Sequence, residues 1–228
     1  MSASPKVGAV IFDMDGLMLD SEQMAKTAWG RALADWGLAL PDDLYLQLIG
    51  RAAPDTKALL FAAFGSALPI EEAYARKQEY LDQEIALNGV ALKPGLLELL
   101  AFLDAAGTPK AVASSTHRAF VLRKLGIAGV IARFDALACG DEVANGKPAP
   151  DVFLLAAERL GVSPWPCIVL EDSDAGIRGA HAAGMIPILV PDLKLPSAEV
   201  AALAYRVFPS LLEVRDYLAA LRASGGLA

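Results

Sequence analysis

Short apolar runs alternate with amphipathic segments along most of the chain, and this alternation indicates the fold class. Residues 7–12 are apolar and rich in β-branched side chains, which is typical of a strand buried on both faces. From Lys93 onward, similar runs are separated by stretches in which apolar residues recur at helical spacing. Strands that alternate with helices predict an α/β protein with a doubly wound parallel sheet. The further predicted strands span residues 109–113, 134–139, 167–170 and 186–190.

Directly after the first strand the pattern becomes helical only, and no convincing strand follows until the alternation resumes. Trp29 and Trp36 stand at helical spacing, which predicts packing between helices rather than a platform for stacking ligands. A purely helical block placed after the first strand suggests an insertion above the sheet. We predict that residues 20–88 form this all-helical insertion and that residues 1–19 and 89–228 form the α/β core.

Polar side chains follow three of the predicted strands at the point where each strand ends. Because the carboxyl ends of parallel strands share one edge of a sheet, these groups should converge on one crevice. Several carboxylates would repel one another there, so either some are protonated or a cation is present. Oxygen ligands without a nearby histidine or cysteine favour a hard ion such as Mg²⁺. Helix capping explains any one of these sites but not all three together. The residues are Asp13 and Asp15, Ser114 and Ser115, and Glu171 and Asp172.

Composition excludes several classes of partner. A net charge of −7 and a pI near 4.9 argue against nucleic acid, which requires a basic stripe. The mean hydropathy is +0.41, but no stretch of about 18 uncharged apolar residues occurs, and the start lacks a secretory pattern. We therefore expect a cytoplasmic protein without a membrane partner. Cys139 and Cys167 lie in apolar runs, as buried reduced thiols do, and the absence of a long unused apolar face favours a monomer.

Four ordered motifs resemble those of the haloacid dehalogenase-like superfamily of phosphotransferases. The stretch Asp13-Met14-Asp15-Gly16 resembles the first motif, Ser114 the second, Lys147 the third and Glu171-Asp172 the fourth. Similarity to the β-phosphoglucomutase-like subgroup is particularly close in two runs, Gly146-Lys147-Pro148-Ala149-Pro150-Asp151 and Leu170-Glu171-Asp172-Ser173. The resemblance covers nearly the whole chain and implies a Rossmann-like core with a helical cap inserted after the first motif.

The resemblance also implies roles for these residues. Asp13 would attack phosphorus and form an aspartyl-phosphate, and Asp15 would protonate the leaving oxygen and then activate water. Mg²⁺ would be bound by the Asp13 side chain, the Asp15 carbonyl oxygen and Asp172, and by Glu171 directly or through water. Ser114 and backbone N–H groups near Met14 and Ser115 would hold phosphoryl oxygens, while Lys147 offsets negative charge.

One departure from the mutase-like pattern bears on the reaction. A cap histidine is expected a few residues beyond Asp20-Ser21-Glu22, and Ala25 stands at that position in this chain. The change favours a phosphatase of small phosphorylated metabolites over a sugar phosphomutase. Arg51 and Lys77 match basic cap residues in relatives and are candidate substrate contacts, with a solvated surface charge as the alternative for each.

Asp15 also bears on two alternatives to the phosphatase. A dehalogenase that attacks carbon would need neither Asp15 nor a metal ion. A non-catalytic phosphate- or partner-binding module would not require Asp15 either. We therefore predict a Mg²⁺-dependent phosphoric monoester hydrolase, with the phosphomutase as the nearest alternative and the binding module as the alternative from another class.

Overall fold

The five apolar runs predicted as strands all lie in one parallel sheet. The computed structural model describes residues 7–49, 53–194 and 196–226. The strands are β1 (Ala9–Phe12), β2 (Lys110–Ser114), β3 (Ala136–Cys139), β4 (Cys167–Glu171), β5 (Ile186–Leu189) and β6 (Arg206–Val207). They lie in the order β3-β2-β1-β4-β5-β6, and every adjacent pair runs parallel. The predicted fold class, an α/β protein with a doubly wound parallel sheet, is confirmed. The last strand was not predicted.

Both faces of the central strand are buried, as its unbroken apolar sequence requires. Ala9 and Ile11 belong to an apolar cluster with residues of α7 (Asp151–Leu160) and α8 (Asp174–Ala182). Val10 and Phe12 are also fully buried and, because side chains alternate along a strand, face the other side. The other helices of this part of the chain are α5 (Leu96–Ala106), α6 (Arg118–Ile127), α9 (Ala198–Leu203) and α10 (Leu211–Ala223).

Two compact units make up the chain. One comprises Met1–Leu19 and Leu92–Ala228, and the other comprises Asp20–Ala91. The second unit is three residues longer than the predicted insertion, and the N–H of Asp20 at its start donates to the carbonyl of Ala91 at its end, at 2.9 Å. In the first unit, Leu19 and Leu92 form a β-bridge where the chain leaves and returns.

The second unit is all-helical and has an apolar core of its own. Trp29 is buried in that core and meets the ring of Tyr74 edge-to-face, with 5.0 Å between the ring centres. Trp36 packs against the same cluster, so the prediction that both tryptophans pack between helices is confirmed. The helices are α1 (Ser21–Ala34), α2 (Asp42–Leu48), α3 (Ala53–Phe64) and α4 (Ile70–Asn88).

Neither a membrane-spanning helix nor a disulfide occurs among the described residues. No helix among the described residues is both long enough and apolar enough to cross a membrane. Cys139 and Cys167 are free and buried, as predicted, and burial raises the pKa of each thiol to about 11.

Candidate active site

Asp13 follows β1 directly and lies at the carboxyl edge of the sheet. Its N–H donates to the carbonyl of Leu170 at 3.0 Å, which continues the pairing of β1 with β4. The backbone then turns at Gly16, which has a φ of +84°. A Cβ on Gly16 would lie 2.2 Å from Oδ2 of Asp172, so only glycine permits this close approach. The turn therefore brings the polar ends of two neighbouring strands together.

Lys147 lies between two carboxylates that come from different strands. Its Nζ is 2.5 Å from Oδ1 of Asp13 and 2.6 Å from Oε1 of Glu171, and it donates to the carbonyl of Ala113 at 3.0 Å. Only 5% of the lysine side chain is exposed. The loop that precedes α7 thus delivers one ammonium group to the ends of β1, β2 and β4, where the strand-end pattern predicted a crevice.

Three carboxylates form an acidic cluster around this lysine. Asp13, Glu171 and Asp172 each offer an oxygen within 4.8 Å of the others. Oε2 of Glu171 accepts hydrogen bonds from the N–H groups of Asp172 and Ser173, each at 3.0 Å, and from the Ser173 hydroxyl at 2.9 Å. A Cβ on Gly176 would lie 1.8 Å from the Glu171 carboxyl group, so α8 can approach this close only with glycine there.

The charges in this cluster do not balance. Burial raises the pKa of Asp13 to about 8 despite the neighbouring ammonium, and burial also raises the pKa of Asp172 well above its usual range. Burial alone would lower the pKa of Lys147, but the adjacent Asp13 and Glu171 carboxylates raise it, so the ammonium form persists. One cation cannot neutralise three carboxylates of which two are buried. The cluster therefore either retains protons at neutral pH or fits a hard divalent cation.

Asp15 accepts hydrogen bonds from two donors that are not part of the cluster. Lys124 Nζ lies 2.6 Å from Oδ1 of Asp15, and the Thr116 hydroxyl donates to Oδ2 at 2.8 Å. Sequence reasoning missed both partners as site residues. Thr116 stands just beyond the predicted strand end, but nothing in the sequence distinguishes Lys124 from an ordinary surface lysine of α6.

The sequence analysis also missed a second ion pair, which lies near Asp172. Lys93 pairs with Asp192, whose side chain is 7% exposed. Oδ2 of Asp192 is buried and has no hydrogen-bond partner within the part of the chain that the structure describes. That oxygen would lie 3.4 Å from a Cβ on Gly16, the position that also contacts Asp172. Asp192 therefore adds negative charge near Asp172 and contributes to its raised pKa.

The other predicted site residues differ in burial. Ser114 is buried, and its hydroxyl accepts a hydrogen bond from the N–H of Thr116 at 3.1 Å. Met14 is buried, whereas Ser115 is exposed at the end of β2. Lys77 is half-buried within α4 of the helical unit. Arg51 lies outside the described residues.

A cavity of about 440 Å³ lies away from this cluster, at the amino ends of the strands. It is lined in part by Asp104, Lys110 and Arg159. Lys110 already pairs with Asp104 at 2.5 Å, and Arg159 pairs with Glu142 at 2.8 Å. Its charged groups thus compensate one another, and the reactive carboxylates lie at the other edge of the sheet.

Two proteins named as phosphatases are similar to this chain in sequence. The chain is 36% identical over 216 residues to a protein of Drosophila melanogaster named probable pseudouridine-5'-phosphatase, and the match covers 92% of each chain. It is 33% identical over 180 residues to the phosphorylated carbohydrates phosphatase of Thermotoga maritima, covering 78% of this chain and 82% of that one.

A solved structure shares the fold and carries a ligand. The crystal structure of a HAD family hydrolase from Deinococcus radiodurans, with bound phosphate and sodium, superposes with a TM-score of 0.83. Sequence identity is 31%, and the match covers 99% of both chains. The sequence model of the haloacid dehalogenase-like hydrolase family matches residues 7–184 of this chain. This chain therefore belongs to the haloacid dehalogenase-like hydrolase family.

Proposed function

We propose that the protein is a Mg²⁺-dependent phosphatase of small phosphorylated metabolites that works through an aspartyl-phosphate on Asp13. The observation that carries this proposal is the placement of Asp13 beside Lys147, with the carboxylates of Glu171 and Asp172 in the same cluster. Family membership and relatives named as phosphatases support the reaction class. The predicted roles of the individual residues are part of the proposal.

In the first half-reaction, a carboxylate oxygen of Asp13 attacks phosphorus and the bond from phosphorus to the ester oxygen breaks. The departing oxygen takes a proton from Asp15, and the alcohol leaves. In the second half-reaction, Asp15 takes a proton from water, whose oxygen attacks the acyl phosphate. Inorganic phosphate leaves, and Asp13 is regenerated as a carboxylate.

Other side chains hold charge and position. Lys147 would offset negative charge on Asp13 and on the phosphoryl group, because its ammonium group is fixed within 2.5 Å of the nucleophile. The Ser114 hydroxyl and the backbone N–H groups of Met14 and Ser115 would hold phosphoryl oxygens. Positioning and charge stabilisation of this kind account for most of the catalysis of phosphoryl transfer.

The metal ion would be held by the Asp13 side chain, the Asp15 carbonyl oxygen and Asp172. Both oxygens of Glu171 are already engaged, one by Lys147 and the other by three donors, which favours contact through water. When bound, Mg²⁺ supplies the positive charge that neutralises the phosphoryl oxygens as they approach the carboxylates.

The nearest alternative is a sugar phosphomutase, which would return the phosphoryl group to the sugar instead of to water. Ala25, in α1, replaces the histidine of the mutase-like pattern and favours hydrolysis. Lys77 and Arg51 remain predicted substrate contacts, and the cytoplasmic location and monomeric state also remain predictions. Product analysis separates the two reactions, because only the phosphatase releases one phosphate for each substrate consumed.

The test is phosphate release from a panel of phosphorylated sugars, nucleotides and three-carbon acids. We expect turnover that EDTA abolishes and added Mg²⁺ restores. Asp13→Asn should remove turnover while circular dichroism stays unchanged, because an amide is a poor nucleophile. Asp216→Asn makes the same charge change at an exposed position of α10 and should leave turnover intact. Turnover that persists in EDTA, or in Asp13→Asn, would contradict the proposal.

A further inference from the structure

Asp15, the proposed acid and base, accepts hydrogen bonds from two donors of the α/β unit. Each of its two carboxylate oxygens accepts a hydrogen bond, Oδ1 from Lys124 at 2.6 Å and Oδ2 from Thr116 at 2.8 Å. The Lys124 and Asp15 side chains are 20% and 25% exposed, so the pair is largely shielded from water.

The two donors are themselves fixed. The N–H of Thr116 donates to the Ser114 hydroxyl at 3.1 Å, and the Thr116 carbonyl accepts from the N–H of Gly140 at 3.1 Å. Lys124 lies on α6, whose first residue, Arg118, donates its N–H to the Asp141 carboxylate at 2.7 Å. These hydrogen bonds anchor the backbone of Thr116 and the start of the helix that carries Lys124.

We propose that Lys124 and Thr116 are positioning residues that hold the Asp15 carboxylate in its working orientation. This inference rests on the proposed function and extends it. Charge-assisted hydrogen bonds of this length are among the stronger ones in proteins, and two of them define both the position and the plane of a carboxylate.

The leaving group of the substrate distinguishes positioning from a general structural role. An alkyl phosphate releases a poor leaving group that needs a proton from Asp15, whereas p-nitrophenyl phosphate releases a phenolate that leaves without one. The ratio kcat/KM reports only the steps through release of the alcohol, so it isolates the acid step. Lys124→Met should therefore lower kcat/KM for the alkyl ester about 10–100-fold, part of the 10²–10⁴-fold typical of general acid catalysis, and change that for the aryl ester by about three-fold at most.

Matched variants complete the experiment. Lys124→Arg retains a donor and should recover most of the alkyl ester activity, and Thr116→Ser should retain more than Thr116→Val. Arg222→Met removes a positive charge from an exposed position of α10 and should affect neither ester. Beryllofluoride affinity, measured by ¹⁹F NMR, should be unchanged in Lys124→Met, because this ligand reports on the Asp13 site.

Parallel losses on both esters, without recovery in Lys124→Arg, would overturn the inference, and so would unchanged kinetics on the alkyl ester. If Lys124→Met fails to fold, the comparison of Thr116→Val with Thr116→Ser decides by the same ratio. Wild-type protein that hydrolyses neither ester would refute the proposed function itself, and the inference with it.

Discussion

Metal binding to the acidic cluster should be coupled to proton release. The pKa of Asp13 is raised to about 8 by burial, and that of Asp172 is raised in the same direction. The metal-free site therefore favours the protonated carboxyls near neutral pH, whereas a cation needs them ionised. It follows that metal affinity must rise with pH up to the pKa of the metal-free site and level off above it.

The size of the effect follows from the pKa of Asp13. A group with a pKa of about 8 is ionised to about 1% at pH 6, about 9% at pH 7 and about 50% at pH 8. From this residue alone, affinity should rise about 9-fold between pH 6 and 7 and about 50-fold between pH 6 and 8. About 0.9 protons should leave from Asp13 for each metal ion bound at pH 7, and Asp172 adds to that number.

Isothermal titration calorimetry measures both quantities. Mg²⁺ or Mn²⁺ is titrated into the protein in two buffers with different ionisation enthalpies, which gives the number of protons released. Asp13→Asn is the matched control, because removing this carboxyl should lower the proton count at pH 7 by at least about 0.9 and flatten the pH dependence. The loss includes a contribution from Asp172, because the charge of Asp13 helps to raise the pKa of Asp172. Affinity that stays constant or falls between pH 6 and 8, or an unchanged proton count in Asp13→Asn, would refute the reasoning.

Three further predictions concern stability. Lys147→Met leaves buried carboxylates without their cation and should lower the free energy of unfolding by about 3–5 kcal/mol, with a larger loss at alkaline pH. Thermal denaturation in EDTA measures this loss, and a value below about 1 kcal/mol would contradict the prediction. Gly176→Ala adds a Cβ that would lie 1.8 Å from the Glu171 carboxyl, so metal affinity and melting temperature should fall. If stability instead rose by the roughly 1 kcal/mol that the higher helix propensity of alanine provides, the result would contradict this close contact. Tyr45→Phe removes the hydroxyl that donates to the Glu22 carbonyl at 2.6 Å and should cost about 1 kcal/mol in urea denaturation, whereas unchanged stability would mean that water replaces this bond.

The central strands and the main motifs could be predicted from the sequence for a physical reason. A strand buried on both faces must be apolar throughout, so abrupt carboxylates at its end, as at Asp13 and Glu171, stand out. By contrast, β6 is two residues long and exposed, and an exposed strand leaves no apolar run or alternation to detect. Lys124 is 109 residues from Asp15 in the sequence, and their contact depends on how α6 is placed beside the sheet. A single sequence does not encode that placement in a local pattern.

The β-bridge between Leu19 and Leu92 has a practical consequence for engineering. Because the two chain passages meet there, and the N–H of Lys93 donates to the carbonyl of Met18 at 2.9 Å, a connector of a few residues could join them. Excising residues 20–91 in this way would leave every carboxylate and lysine of the acidic cluster on one continuous minimal scaffold. Other helical inserts could then be grafted at the same junction without changing the sequence of the scaffold.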